Sequence, residues 1–135
     1  MALDWKIDSR TRLVTVVADG LVTRADVDSY LDAVDGAGAL AYRKLFDGTA
    51  GVVAMEAEEL FAVGARFRSY HDRPVGPLAI VITEAQSEAV ARLLGILASA
   101  DRPMRIFASR LTARRWLDGL AELPQDRRPV TVSVT

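Results

Sequence analysis

LAIVIT, residues 78–83, is the stretch of this sequence that decides the fold. Its first five residues are apolar without interruption, and Ile80, Val81 and Ile82 carry the β-branched side chains that strands favour. A strand with one face in water alternates apolar and polar residues, whereas a strand covered on both faces is apolar throughout. The stretch therefore predicts a central strand of a mostly parallel sheet.

Helix and strand patterns alternate on both sides of this central strand. Before it, Glu56–Tyr70 has apolar residues at helical spacing with acids in its first turn, and Tyr42–Phe46 predicts a strand that ends at Asp47. After it, Glu84–Ser99 predicts a helix and Met104–Phe107 a strand. We expect the apolar helix faces to be core, although a lipid pocket would use similar residues; they contain Leu60, Phe61, Phe67, Leu93, Leu94, Leu97, Trp116 and Leu117.

The two ends of the chain complete the pattern. Leu3–Ile7 and Leu13–Ala18 predict a hairpin, and Thr23 with Asp26 forms a capping box that starts the first helix. Ser109 can cap a last helix. The alternating valines of PVTVSVT, residues 129–135, predict an edge strand or a strand exchanged with a neighbouring chain.

The predicted fold is a single α/β domain spanning residues 1–135, with residues 121–135 as its C-terminal tail. The order β-β-α-β-α-β-α-β-α predicts a mixed, mostly parallel sheet of about five strands, opened by an antiparallel hairpin and packed against helices. A length of 135 residues suits one domain with one core.

Composition narrows the class of protein. There are no cysteines and one histidine, His71, so thiol chemistry is excluded, and we expect neither a metal site nor a cofactor. No signal peptide or membrane-spanning segment is evident, and we expect a cytoplasmic protein. Residues 1–65 carry 6 basic and 11 acidic side chains, whereas residues 66–135 carry 11 basic and 7 acidic ones. Such a charge asymmetry can align a partner or a second subunit, but without a basic stripe we expect no binding to nucleic acid.

KLFDGTAG, residues 44–51, is the segment that most resembles an active site. Phosphatases with an Asp-x-Asp-Gly-Thr sequence use the first aspartate as nucleophile, but Leu45 holds that position here. Three roles remain for Asp47: the polar end of a buried strand, whose turn Gly48 and Thr49 complete, a ligand contact, or a catalytic acid. We favour the first of these.

The sequence resembles the bacterial SpoIIAA-like family, which shares the STAS fold and is grouped with SEC14-type lipid-binding domains. The resemblance is carried by ADGLVTRADVDSYLDAV, by LFD and LAIVIT at strand ends, and by the closing IFASRLTARRWL. It implies a regulatory or ligand-binding module. The regulatory branch of the family carries a phosphorylated hydroxyl after the third strand. At that place this chain has AGVVAMEAEEL, residues 50–60, which contains no hydroxyl side chain.

Three functions follow as hypotheses. We expect a non-catalytic interaction module of STAS-like type that binds a protein partner or itself. The alternative is a SEC14-like binder of a small apolar or anionic ligand, such as a lipid, and the third is an enzyme using Asp47 with Glu84. Ligands of open α/β sheets bind at strand ends where the strand order reverses. The residues expected there are Asp47, Gly48, Thr49, Thr83, Glu84, Ser109 and Arg110.

Overall fold

The computed structural model describes residues 2–70, 72–97, 103–121 and 132–134, and for residues 93, 94, 96, 97, 121 and 132–134 it describes the backbone alone. The elements are β1 Leu3–Asp8, β2 Leu13–Val22, α1 Arg24–Gly36, β3 Arg43–Val53, α2 Ala57–Arg68, β4 Leu78–Val81, α3 Ser87–Leu97, β5 Met104–Phe107, α4 Arg110–Ala121 and β6 Val132–Val134. A short 3₁₀ turn, Glu84–Gln86, joins β4 to α3.

The strands form one mixed sheet in the order β1-β2-β3-β4-β5-β6. β1 is antiparallel to β2, and every other pairing is parallel. The predicted α/β fold with an opening hairpin is confirmed. β6 pairs with β5 of the same chain, and the rest of the predicted tail lies outside the described residues, except for Ala121 at the end of α4.

One face of the sheet is covered by α1, α2 and α3. Val14 and Val16 of β2 pack on this face with Tyr30, Leu31 and Val34 of α1. Ile80 and Ile82 of β4 pack on it with Met104, Ile106 and Val90, the last from α3. Phe46 contacts both clusters, which shows that α1 and α3 lie on the same side; this side is called the α1–α3 face below.

The opposite face, called the α4 face below, is covered by α4. Ala113 and Leu117 of α4 pack against Leu45, Ala79 and Val81. The ring centroids of Trp116 and Phe107 lie 5.8 Å apart. β4 thus sends alternate side chains into two separate clusters, because side chains of a strand point to opposite faces in turn. The prediction drawn from LAIVIT, a strand buried on both faces, is confirmed, although the strand ends at Val81 and not at Thr83.

A buried arginine ties α4 to the sheet. Arg43 of β3 is 9% exposed, and its guanidinium donates to the Leu117 carbonyl at 3.1 Å, to Asp118 Oδ1 at 3.2 Å and to the Thr11 carbonyl at 2.7 Å. Both terminal nitrogens of the guanidinium therefore have acceptors, as expected for a buried charge.

The predicted end of β3 at Asp47 is wrong. β3 continues to Val53 because β2 also continues, from the predicted end at Ala18 to Val22, and the two strands pair along the added length. β4 pairs with β3 only as far as Asp47. Residues 19–22 of β2 and 50–53 of β3 therefore form a two-stranded ribbon that extends past the paired end of β4.

A β-bulge lies at the base of this ribbon. Val17 pairs with Asp47 but Asp19 pairs with Ala50, so β3 contains one residue more than β2 between the two pairs. Gly51 allows the strands to close again, since a Cβ there would lie 2.7 Å from the Cβ of Ala18. The Asp-Gly-Thr sequence, which by itself resembles a turn, is accommodated as a bulge inside a strand.

Candidate functional site

Asp47 lies at the bulge and faces α4. It is in register with Val81, whose side chain packs under α4, and its own side chain is 14% exposed. Oδ1 accepts hydrogen bonds from the Thr49 hydroxyl at 2.7 Å and the Thr49 backbone N–H at 3.1 Å. Oδ2 accepts from Nε of Arg110, at the start of α4, at 2.6 Å. Both carboxylate oxygens of Asp47 are therefore engaged.

These contacts set the charge of Asp47. Burial raises its pKa, but the hydrogen bonds from Thr49 and Arg110 favour the ionised form more strongly, and the net effect is a lowered pKa. A catalytic acid or base works best with a pKa near the working pH. Asp47 is shifted away from that range, and it forms an ion pair with Arg110 that carries no net charge.

Gln86 is a residue that our sequence analysis missed. From the 3₁₀ turn after β4, its Nε2 donates to the carbonyls of Gly48 at 2.8 Å, Gly51 at 3.1 Å and Thr49 at 3.3 Å. Its Oε1 accepts from the Thr83 N–H at 2.8 Å. Thr-x-x-Gln is the capping-box pattern, so the sequence contained a signal for the second contact. Nothing in the sequence indicated the contacts to the bulge.

A cleft of about 290 Å³ opens at the ends of β4 and β5. Its apolar residues are Ile82, Ile106, Phe107 and Ala108, and its polar residues are Thr83, Glu84 and Ser87. Ile82 and Ile106 belong to the cluster that packs with α3, and Phe107 belongs to the cluster under α4, so the cleft lies at the strand ends between the two faces.

The seven predicted site residues do not form one site. Asp47, Thr49 and Arg110 are joined on the α4 face by the hydrogen bonds given above. Thr83 and Glu84 line the cleft, while Gly48 contributes a carbonyl to Gln86. Ser109 caps α4, as predicted: its hydroxyl accepts from the Thr112 N–H at 3.2 Å.

The predicted reversal of strand order is absent from the described sheet, because the order is sequential. The connections after β4 and β5 nevertheless diverge, since α3 packs on one face and α4 on the other. Divergent connections leave a crevice between adjacent strand ends, and ligands of open α/β sheets bind in such crevices. The cleft lies in that crevice.

Exposed apolar side chains form a second feature that we did not predict. Leu21 and Val52 are directly paired across the ribbon and are 64% and 58% exposed. Leu111, 62% exposed, precedes Asp118 by two turns on the flank of α4 that reaches β3, as the contact of Asp118 with Arg43 shows. Leu21 and Val52 are called the apolar patch below. The sequence pattern ends both strands before the ribbon, so it does not predict this feature.

The described residues contain no cluster of three or more metal-ligating side chains, and none of their helices is long and apolar enough to cross a bilayer. His71 lies outside the described residues.

The structure resembles a solved structure. The crystal structure of an uncharacterized protein of the DUF3478 family from Shewanella loihica PV-4, described as having a SpoIIAA-like fold, matches with a TM-score of 0.62 and 16% sequence identity. The match covers 86% of this chain and 94% of that protein. The chain has a SpoIIAA-like fold. The predicted resemblance is thereby confirmed for the fold, and the function of the SpoIIAA-like neighbour is not characterised.

No protein-family model matches the sequence, and no curated protein matches it. The SpoIIAA-like fold is thus shown by the structural match alone.

Proposed function

We propose that the protein is a non-catalytic interaction module that binds a protein partner, either a second copy of itself or a different protein, through the apolar patch. The observation that carries the proposal is the exposure of Leu21 and Val52 side by side on the ribbon. Single exposed apolar residues are ordinary, but adjacent ones on a projecting element are typical of interaction surfaces.

The position of the patch supports this function. A two-stranded ribbon is marginally stable by itself, and outward-facing leucine and valine add nothing to its folding when they remain in water. Burying them against a partner would recover about 25 cal/mol per Å² of apolar area. Two side chains make a small surface, which suits a weak, reversible contact of the kind found in signalling.

The bonding of Asp47 supports a non-catalytic role. Its two oxygens hold Thr49 and Arg110, and its lowered pKa leaves it a poor proton acceptor at neutral pH. The charge asymmetry between the halves of the chain, net −5 and net +4, favours oriented association with a partner of complementary charge.

The test compares the double variant Leu21→Ser/Val52→Ser with Phe61→Ser. Phe61 of α2, which the sequence predicted to be core, is instead 59% exposed and serves as a matched control outside the patch. Light scattering over a range of concentrations measures self-association, and affinity capture from the source cell followed by quantitative mass spectrometry measures other partners. We expect the double variant to lose the association and Phe61→Ser to retain it, with thermal unfolding unchanged in both. If the double variant associates as the wild type does, the patch is not the interaction surface.

The cleft favours a second candidate function, the binding of a small ligand. Its volume of about 290 Å³ is at the lower end of small-molecule sites, and an apolar base with a few polar groups at the rim is their usual composition. A ligand smaller than a lipid fits these dimensions. Native mass spectrometry of protein purified from its own cells would show a co-purifying mass if this function holds.

A further inference from the structure

The 3₁₀ turn Glu84–Gln86 lies between the cleft and the ribbon. Glu84 and Ser87, at its two ends, line the cleft. Gln86, the last residue of the turn, donates to the carbonyls of Gly48 and Gly51 at the base of the ribbon. The turn therefore contacts both candidate sites.

The side chain of Gln86 joins the wall of the cleft to the ribbon by direct hydrogen bonds. Its Oε1 accepts from the N–H of Thr83, which lines the cleft, and its Nε2 donates to the ribbon. The Ser87 hydroxyl closes the same turn by donating to the Glu84 carbonyl at 2.8 Å. Because 3₁₀ hydrogen bonds have poorer geometry than α-helical ones, the turn is the adaptable part of this connection. A shift of the cleft wall therefore moves the Gln86 amide relative to the ribbon.

The order of the ribbon depends on this amide. β4 stops pairing with β3 at Asp47, and a pair of strands without a third is marginally stable in water. The last hydrogen bond along the ribbon, from the Ala54 N–H to the Val22 carbonyl at 2.8 Å, lies beyond the contacts of Gln86. Loss of the Gln86 contacts should therefore allow the ribbon to open more often.

We propose that Gln86 couples the cleft to the ribbon, so that a small molecule bound in the cleft holds the ribbon in place and strengthens the binding of a partner by the apolar patch. The inference rests on both proposed functions, the partner surface and the ligand cleft, and adds regulation of the first by the second.

The direction of the coupling follows from which conformation the ligand binds. A molecule that fits the cleft contacts Thr83, Glu84 and Ser87 in the positions from which Gln86 reaches the ribbon. A ligand shifts an equilibrium towards the conformation that it binds more tightly. A ribbon held in place loses less freedom when a partner binds, so ligand and partner each strengthen the binding of the other.

The first experiment removes the coupling contact in the intact chain. Gln86→Glu keeps an oxygen that accepts from the Thr83 N–H but removes the donor to the ribbon carbonyls. The control is Glu88→Gln, because the Glu88 side chain is 89% exposed and pairs with Arg92. Hydrogen exchange measured by NMR at the Ala54 amide reports opening of the ribbon, and exchange at the Lys44 amide, bound to the Pro77 carbonyl, reports the rest of the sheet.

The second experiment fills the cleft with a known group. The chain has no cysteine, so Ser87→Cys introduces a single thiol into the cleft, and benzyl methanethiosulfonate attaches a benzyl group to it. The control carries Glu88→Cys with the same label. Exchange at the Ala54 amide is compared with and without the label, and again with Gln86→Glu added.

We expect Gln86→Glu to speed exchange at Ala54 about tenfold, the effect of losing two hydrogen bonds, and to leave Lys44 and the control unchanged. The benzyl group in the cleft should slow exchange at Ala54 about fivefold, the lower end for coupled sites, and should have no effect once Gln86→Glu is present. Unchanged exchange at Ala54 in either experiment, or an effect of the label that persists with Gln86→Glu, would overturn the coupling. The two proposed functions would still stand or fall by their own tests, the Leu21→Ser/Val52→Ser variant and native mass spectrometry.

Discussion

Replacing Asp47 with alanine tests whether this carboxylate serves structure. The substitution removes two hydrogen bonds to Thr49 and the ion pair with Arg110. Hydrogen bonds contribute about 0.5–1.5 kcal/mol each, and a pair with a half-exposed arginine contributes up to about 1 kcal/mol. Allowing for the exposure of Thr49, we expect the free energy of unfolding to fall by about 2 kcal/mol. Asp47→Asn keeps an oxygen acceptor for Thr49 and should lose about half as much.

The dependence on pH gives this prediction a sign. The pKa of Asp47 is lowered in the folded state, so its ionisation stabilises the fold at pH values above its unfolded pKa, ordinarily 3.8. That contribution disappears as the pH falls through the lowered folded pKa. The difference in stability between wild type and Asp47→Ala should therefore be full at pH 7 and shrink below about pH 4.

Urea unfolding followed by tryptophan fluorescence at several pH values measures both effects. The matched control is Asp19→Ala, an exposed aspartate on the same strand pair, which should change stability by less than about 0.5 kcal/mol. A cycle with Arg110→Ala isolates the ion pair. A variant Asp47→Ala that is as stable as Asp19→Ala, or a difference that grows at low pH, would refute the structural role.

Three further substitutions test the packing and the ion pairs between helices. Gly76→Ala would place a Cβ against the Tyr42 carbonyl and should lower the free energy of unfolding by about 3 kcal/mol or more. Gly36→Ala, at the end of α1 with open space around it, should leave that free energy unchanged or raise it slightly. Thermal unfolding measures both. Arg66→Met removes hydrogen bonds from α2 to Asp28 and Asp32 of α1 and should lower the free energy of unfolding in urea by about 1–2 kcal/mol. Salt at 1 M screens ion pairs and should reduce this loss, whereas an undiminished loss in salt would indicate packing instead.

The elements with strong local signals were predictable from the sequence. The capping box at the start of α1 is present, with the Thr23 N–H donating to Asp26 at 3.0 Å and the Asp26 N–H to the Thr23 hydroxyl at 3.3 Å. Of the residues expected to face inward from α3, Val90 packs on the sheet, and the side chains of Leu93, Leu94 and Leu97 lie outside the described ones. These signals are local, because a cap or an apolar face depends on residues within one or two turns.

The third strand was predicted incorrectly because its length depends on a distant partner. Asp-Gly-Thr favours a turn by local propensity, and pairing with residues 19–22 of β2 overrides that propensity. The division of the predicted site residues between the α4 face and the cleft has a related cause. A strand residue changes face with a shift of one position, so the bulge after Asp47 decides which side chains can meet, and its register is not visible in one sequence.

The same bulge explains how an otherwise marginal ribbon can present Leu21 and Val52 in a fixed position. On the α4 face, Asp47 at the base of the ribbon is held by Arg110 at 2.6 Å. From the connection after β4, Gln86 binds the carbonyls of Gly48 and Gly51 on the strand edge that β4 leaves unpaired. These contacts replace a third strand, since two strands alone would be marginally stable. An interaction surface on a ribbon attached from both sides loses less conformational freedom on binding than a flexible loop would. For this reason the two apolar side chains of the proposed surface can suffice for a weak, specific contact.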